Sequence, residues 1–155
     1  MIYNYTIVFY IFISFLFPKQ EMECLNCSDQ NTFSVLVITE TKGYVHRSAI
    51  KAGKELINNI GNKNNFNVFY SNNSNAITAK NLMDISTIIF LNTTSDILNA
   101  DEQKVMEDFI KGGKGFVGIH SAADTEYKWN WYGRLVGGYF KNHPPGTSYA
   151  TIETM

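Results

Sequence analysis

Short apolar runs alternate with helix-forming segments through the middle of the chain, and this alternation limits the fold more than any other feature of the sequence. Each run is rich in β-branched residues and too short for a helix, so each predicts a buried strand. The predicted strands cover residues 33–40, 66–70, 87–91 and 115–120. A strand–helix–strand order favours parallel pairing through right-handed crossovers. The sequence therefore predicts the α/β class with an open parallel sheet.

The segments between the strands predict helices. Residues 49–60 have an amphipathic pattern, with Ser48 as the expected N-cap and Gly61 as the expected stop. A short helix is expected around residues 82–83.

The next helix is expected to begin at Asn99 or Asp101 and to end at residues 112–113. Its apolar face comprises Val105, Met106, Phe109 and Ile110. Residues 133–138 predict a further short helix, and residues 148–153 predict the start of another strand. No closing helix follows, so we expect the domain to be truncated at its C-terminus.

Composition and charge limit the class of protein. The chain has 155 residues, enough for one domain with one core. Hydrophobic residues make up 45% and charged residues 17%, which favours a globular protein over a disordered one. The net charge is −1 and lysines and arginines are not clustered, so we expect no nucleic-acid partner.

The N-terminal segment predicts a leader. Residues 5–17 are almost wholly apolar and are followed by Pro18 and Lys19. A membrane span needs roughly 20 residues, so this segment fits the apolar part of a secretory signal better. We expect export to the periplasm or exterior, or a retained membrane anchor, and we place residues 1–31 outside the fold. A non-functional leader is the alternative, because no Lys or Arg precedes the apolar segment.

Cys24 and Cys27 are the only cysteines in the chain. Their C-x-x-C spacing occurs in redox pairs and in halves of zinc sites, but no second pair completes four ligands. We expect a local disulfide or two ordinary thiols.

Polar side chains follow the predicted strands where the chain leaves the sheet. In an open parallel sheet these positions share one edge, which is where ligands bind. The candidates are His46, Asn92, Thr93, Thr94, His120, Ser121, Asp124 and Glu126, with His143 in a later turn that could fold back. Three imidazoles and a carboxylate fit a zinc or other transition-metal site, a proton-transfer site or a sugar pocket. Each histidine alone is equally well explained as a capping or turn residue.

An aromatic-rich segment follows the last predicted strand. Trp129, Trp131 and Tyr132 could offer flat apolar faces to a sugar ring. The alternative is a lid that packs on the core, and the two interpretations are compatible.

Residues 118–122 have the outline of a nucleophile elbow, G-x-nucleophile-x-G, with His120 at the nucleophile position. Ser121 is one residue late, so a serine hydrolase fits poorly. No cysteine is near, which argues against a Cys-dependent amidotransferase. The glycines at residues 112–115 precede a strand rather than a helix, so a phosphate-binding loop is not expected.

Long strings in the sequence resemble the ThuA-like (trehalose-utilisation) family. They are F-L-N-T-T at residues 90–94, G-F-V-G-I-H-S-A-A-D at 115–124 and W-Y-G-R-L-V-G-G-Y-F at 131–140, followed by His143 and Pro144. The loop T-K-G-Y-V-H at residues 41–46 resembles the first-loop motif of the family, with Val45 where an arginine is common. The resemblance runs from about residue 34 to residue 152.

The resemblance implies a flavodoxin-like sheet with helices on both faces, related to the class I glutamine amidotransferases, with histidine replacing the cysteine at the elbow. It also implies a link to the use of trehalose and other disaccharides through keto-sugar intermediates, with metal binding in some members. The matching polar positions are His46, His120, Asp124 and His143. The further C-terminal motifs of the family are absent, so the domain at residues 32–155 is expected to be incomplete.

The sequence thus predicts a domain that acts on or binds a disaccharide or keto-sugar derivative, as a sugar-modifying hydrolase or isomerase-type enzyme. His120, Asp124 and His46 are the expected catalytic residues. The expected substrate-binding residues are Asn92, Thr93, Thr94, Ser121, Trp131 and Tyr132. His46, His120 and His143 are the candidate ligands of a divalent metal such as zinc. A non-catalytic sugar-binding module and an inactive fragment are the alternatives, and a homo-oligomer is left open.

Overall fold

The strands form one sheet whose central part has the predicted parallel arrangement. A computed structural model describes residues 22–25, 27–28, 32–146, 149, 151 and 153. Within these residues the strands are β1 Glu23–Cys24, β2 Ser34–Ile38, β3 Asn67–Ser71, β4 Thr87–Leu91 and β5 Gly115–Ile119, in the order β1-β3-β2-β4-β5. Strands β2 to β5 pair in parallel, whereas β1 pairs antiparallel with β3. The α/β class is confirmed, and the sheet is mixed because of its short edge strand.

Helices cover both faces of the sheet. They are α1 Arg47–Asn64, α2 Ala100–Lys111 and α3 Asn130–Val136. Successive side chains of a strand point to opposite faces. On one face Phe90 packs in a cluster with Met106 of α2 and Tyr132 of α3. On the other face Leu91 packs in a cluster with Ile57 of α1.

The first helix is longer than the sequence predicted. His46 is its N-cap, so the predicted cap Ser48 lies inside the helix. The predicted stop, Gly61, is buried in the last turn, and the helix ends at Asn64. Asn65 then turns the chain with φ 55°, in the left-handed region that asparagine tolerates. The prediction that Gly61 ends the helix is therefore wrong, because the chain leaves the helix at Asn65.

No helix forms at residues 82–83. The segment is a series of turns after a short 3₁₀ helix, Ser74–Ala76. Leu82 is buried, whereas Met83 is 69% exposed. One buried leucine anchors this connection, but a helix would need a repeating apolar face.

The N-cap of α2 is Asn99, one of the two predicted positions. The side chain of Asn99 accepts hydrogen bonds from the backbone N–H groups of Asp101 and Glu102, and the carboxylate of Glu102 accepts one from the N–H of Asn99. This reciprocal capping box satisfies donors that the first helical turn leaves free. The helix ends before Gly112, as predicted.

Part of the segment that we placed outside the fold contributes to the sheet. Glu23 pairs with Tyr70 and Cys24 with Phe69. Cys24 forms a disulfide with Cys27, which was one of the two expected states of the cysteines. Backbone hydrogen bonds along an exposed sheet edge explain this addition, and the apolar pattern carries no signal for it.

Two predictions concern residues that the structure largely leaves undescribed. The apolar segment at residues 5–17 lies outside the described residues, and the strand at residues 148–153 is described only at three positions, which are not in a strand. Within the described part of the chain, no helix has both the length and the apolar character needed to cross a membrane.

Candidate functional site

Strand β5 ends in a sharp turn that presents His120. This residue has φ 51° and begins the 3₁₀ helix His120–Asp124. Residues other than glycine rarely adopt this backbone conformation. Residues held in such strained conformations are frequent at functional sites. Gly118 lets the turn fold back closely, because a Cβ atom there would lie 3.1 Å from the Cβ of Ala122. The turn leaves the side chain of His120 exposed.

The loop after β2 brings His46 against His120. The centroids of the two rings are 4.7 Å apart and their planes meet at 77°. Tyr44 contacts His46 edge-on, with 4.8 Å between the ring centroids. Thr94, which follows β4, holds this loop because its Oγ1 accepts a hydrogen bond from the N–H of Gly43 and donates one to the carbonyl of Tyr44. The segments that follow three neighbouring strands, β2, β4 and β5, thus meet at one edge of the sheet.

A cavity of about 700 Å³ opens beside the two histidines. Its lining residues are Tyr44, His46, His120, Ser121, Ala123, Asp124, Gly138, Tyr139, Phe140 and His143. The structure therefore brings together five of the predicted site residues: His46, His120, Ser121, Asp124 and His143. The lining includes the aromatic residues Tyr139 and Phe140, which form an aromatic wall.

The side chains around the cavity that could bind a metal ion are not grouped as a metal site requires. Among the residues that the structure describes, no three His, Cys, Asp or Glu side chains are grouped so that they could hold a metal ion. His143 packs beside Phe140, with 5.8 Å between the ring centroids, and its Nδ1 lies 2.8 Å from the carbonyl oxygen of Pro144. The predicted zinc ligands His46, His120 and His143 are thus not assembled into one set.

The turn after β4 is hydrogen-bonded to neighbouring loops, but its residues do not line the cavity. Asn92, Thr93 and Thr94 are all buried, with exposed fractions of 2% or less. The hydroxyls of Thr93 and Thr125 lie 2.9 Å apart, which joins this turn to the chain after the 3₁₀ helix. These three residues therefore pack the edge and attach the loop, and their contact with substrate stays a prediction.

Two buried polar atoms at this edge have no protein partner in the described part of the chain. They are Nδ2 of Asn92 and Oγ of Ser121. A buried group without a hydrogen bond costs about 1–3 kcal/mol, so such groups are usually satisfied by water or a ligand. Ser121 also lines the cavity, although its hydroxyl oxygen is buried.

The predicted aromatic binding residues lie in the core. Tyr132 is fully buried, and its hydroxyl donates a hydrogen bond to the carbonyl of Ala122 at 2.7 Å. Trp131 is partly buried and stacks on Trp129, with 4.8 Å between the ring centroids. Neither Trp131 nor Tyr132 lines the cavity. These residues therefore pack on or against the core, and their role in sugar binding stays a prediction.

Glu126 is a buried carboxylate that points away from the cavity. Its Oε1 accepts hydrogen bonds from the backbone N–H groups of Ile97 and Leu98, both at 2.7 Å, and its Oε2 accepts one from Gln103 at 2.7 Å. Burial raises the pKa of Glu126, although these hydrogen bonds act in the opposite direction. Of the two carboxylates predicted near the edge, Asp124 alone lines the cavity.

Comparison with known proteins agrees with this arrangement. The model of the ThuA family, described as trehalose utilisation, matches residues 34–155. The chain belongs to the ThuA family. The crystal structure of a ThuA-like protein from Bacteroides uniformis ATCC 8492 superposes with a TM-score of 0.60 and 20% sequence identity, over 78% of this chain and 51% of that protein. This chain therefore spans about half the length of that ThuA-like protein. Among curated proteins, none matches.

This ThuA-family chain has no thiol at its elbow. Its two cysteines are joined in a disulfide, and Cys24 lies in β1, at the opposite edge of the sheet from β5. The position that a nucleophile would occupy holds His120. Cys-dependent chemistry at this turn is therefore excluded by the sequence and by the placement of the disulfide.

Several residues of the ThuA-family site were missed by sequence reasoning. Tyr44, Tyr139 and Phe140 line the cavity, whereas we had assigned the aromatic role to their neighbours. The signal was present in the strings G-Y-V-H and G-G-Y-F, which adjoin the site histidines in sequence. Gly133 belongs to the same arrangement, because a Cβ atom there would lie 2.6 Å from the ring of Tyr139. The glycine of the W-Y-G-R string thus makes room for the cavity wall.

Proposed function

We propose that this ThuA-family domain binds a carbohydrate, a disaccharide or a keto-sugar derivative, in the cavity beside His46 and His120, and that these histidines transfer protons on the bound sugar. The observation that carries the proposal is the contact between the two imidazole rings, 4.7 Å apart, at the edge of a cavity with an aromatic wall. The trehalose-utilisation description of the family supports the choice of a sugar.

The chemistry of the lining supports a sugar ligand. A sugar ring has apolar C–H faces and a rim of hydroxyl groups, so it needs flat apolar surfaces together with hydrogen-bonding groups. Tyr44 and Phe140 are exposed and supply flat apolar surfaces, and the carboxylate of Asp124 supplies a hydrogen-bonding group. A volume of about 700 Å³ is within the range of small-molecule sites.

The paired histidines support proton transfer. A neutral imidazole carries one N–H donor and one nitrogen acceptor, and its charge changes near neutral pH. Two rings in contact can therefore present a base and an acid to adjacent hydroxyl or carbonyl groups of one ligand. Asp124, four residues after His120 in the same 3₁₀ helix, adds a carboxylate that can orient a hydroxyl.

A binding and turnover experiment on the full 155-residue chain tests the proposal. Trehalose, sucrose and a keto-disaccharide are titrated by calorimetry and followed for product formation, with wild type and the His120→Ala and His120→Asn variants. Asparagine is included because it tolerates the left-handed backbone of residue 120. We expect saturable binding of at least one sugar, with turnover falling about 10²–10⁴-fold in both variants while much of the affinity is retained.

The runner-up is a non-catalytic sugar-binding module, which predicts a loss of affinity in the variants and no turnover in any of the proteins. His143→Ala is the matched comparison, because His143 lines the same cavity but lies apart from the histidine pair. A well-folded wild type that binds none of the sugars would refute the carbohydrate proposal.

We also propose that the domain works outside the cytoplasm, as a periplasmic or extracellular protein or one held at the membrane by its N-terminus. The disulfide between Cys24 and Cys27 supports this, since such bonds persist in oxidising compartments. We expect the thiols of protein taken from its native cells to resist alkylation until a reductant is added. Immediate alkylation, with the protein in the cytoplasmic fraction, would contradict the proposal.

A further inference from the structure

The hydroxyl of Tyr127 contacts both a cavity carboxylate and the cavity wall. It donates a hydrogen bond to Oδ1 of Asp124 and also lies 2.8 Å from the carbonyl oxygen of Phe140. Asp124 and Phe140 both line the cavity, whereas Tyr127 is not among the lining residues. One side chain outside the cavity therefore joins two of its walls.

The wall that Tyr127 contacts is attached at several points. The N–H of Phe140 donates to the carbonyl of Ala123 at 2.8 Å, so both sides of this residue's backbone are hydrogen-bonded. The ring of Tyr127 stacks on that of Tyr139, with 5.0 Å between centroids. The Tyr139 hydroxyl in turn contacts the carbonyls of Glu126 and Trp129. The wall is thus held by the same short segment that carries Asp124.

The phenol has a single hydrogen for two acceptors. Burial, followed by the hydrogen bond to Asp124, raises the pKa of Tyr127 to about 12, so the phenol remains a donor at neutral pH. Its hydrogen is shared between a charged carboxylate and a peptide carbonyl. Because a carboxylate has two oxygens, a ligand hydroxyl can donate to Oδ2 of Asp124 while Tyr127 donates to Oδ1.

We infer that Tyr127 is a positioning residue of this site: its hydroxyl directs the carboxylate of Asp124 toward the bound molecule and couples that carboxylate to the Phe140 wall. The inference rests on the proposed function of the cavity as a sugar site. Under this inference, Tyr127 affects ligand binding through Asp124, in addition to holding two loops together.

A ligand-free measurement tests the contact itself. The chain has nine tyrosines, and labelling them with ¹³C at Cζ gives signals that respond to hydrogen bonding of the hydroxyl. The signal that disappears in Tyr127→Phe is the signal of Tyr127. Asp124→Asn is expected to shift that signal and to lower the pKa of Tyr127, since Asp124 is among the groups that raise it. The signal of Tyr70 should not shift, because its hydroxyl donates to the carbonyl of Lys54 and not to Asp124. An unchanged Tyr127 signal in Asp124→Asn would overturn the inference.

A double-mutant cycle with trehalose tests the consequence. Tyr127→Phe is expected to weaken binding about 10-fold, the loss typical of a hydrogen bond to a charged group. In the Asp124→Asn background the same change should weaken binding less than about twofold, because the coupling partner is already altered. Tyr70→Phe is the matched control: it removes one hydroxyl–carbonyl bond far from the cavity and should leave trehalose affinity unchanged.

Equal losses from Tyr127→Phe in both backgrounds would reduce Tyr127 to a structural brace and overturn the inference. If wild type does not bind trehalose, the proposed function fails for that sugar, and an unshifted Tyr127 signal in Asp124→Asn still overturns the inference.

Discussion

Replacing Glu126 by alanine is expected to destabilise the protein by about 3–5 kcal/mol, because buried donors left without an acceptor cost about 1–3 kcal/mol each. The lost acceptor serves the backbone N–H groups of Ile97 and Leu98 and the side chain of Gln103. Glu126 is 1% exposed, so water does not readily replace it. Thermal unfolding should show a loss of about 10 °C for a chain of this size.

Glu126→Gln is the matched control. Its carbonyl oxygen can still accept from the two backbone N–H groups, and the amide of Gln103 can rotate to present its oxygen to the new NH₂ group. The loss should therefore be much smaller than in Glu126→Ala. Similar melting temperatures for Glu126→Ala and wild type would show that these hydrogen bonds do not hold the loop.

The pH dependence follows from the raised pKa of Glu126. The folded protein holds this proton more tightly than the unfolded chain does, so this group's contribution favours folding most at low pH. That contribution declines as pH rises from the ordinary glutamate range through the raised pKa of the folded state. Because glutamine does not titrate, the stability of wild type relative to Glu126→Gln should fall across that same pH window.

Replacing Tyr132 by alanine is expected to cost about 3–5 kcal/mol, the range for truncating a buried aromatic side chain. The ring of Tyr132 packs against Phe90 and Phe116, each with 5.9 Å between ring centroids, and against Trp129 at 6.1 Å. Its removal leaves a void in the core and deprives the carbonyl of Ala122 of its hydroxyl partner. Urea unfolding of wild type and variant measures the loss.

Tyr132→Phe separates the two contributions and tests the predicted role of this residue in binding. It keeps the ring and removes only the hydroxyl, so we expect a loss of about 1 kcal/mol in stability. Sugar affinity should be unaffected, because Tyr132 is outside the cavity lining. A variant with wild-type stability and reduced sugar affinity would restore Tyr132 to the binding residues.

Cavity-lining residues at strand ends were partly predictable. His46 and His120 each follow a parallel strand at its carboxyl end, and the topology of parallel sheets brings such positions to one edge. Asn92, Thr93 and Thr94 satisfy the same rule, yet they are buried. The rule gives the edge of the sheet, but it does not say which side chains at that edge face solvent.

The sequence by itself determined the α/β class, the four parallel strands and the family, and it limited the cap of α2 to Asn99 or Asp101, because these depend on local patterns of burial, capping and motif. The tertiary structure alone decided which polar and aromatic residues reach the cavity. Tyr132 is aromatic like Tyr139 and Phe140 of the cavity lining, but its position on α3 places it in the core, and Trp131 packs against that core. Tyr139 and Glu126 likewise obtain their roles from partners at least ten residues away in sequence. The physical reason is that side-chain direction and hydrogen-bond partners at a strand edge depend on how loops from separate strands pack together.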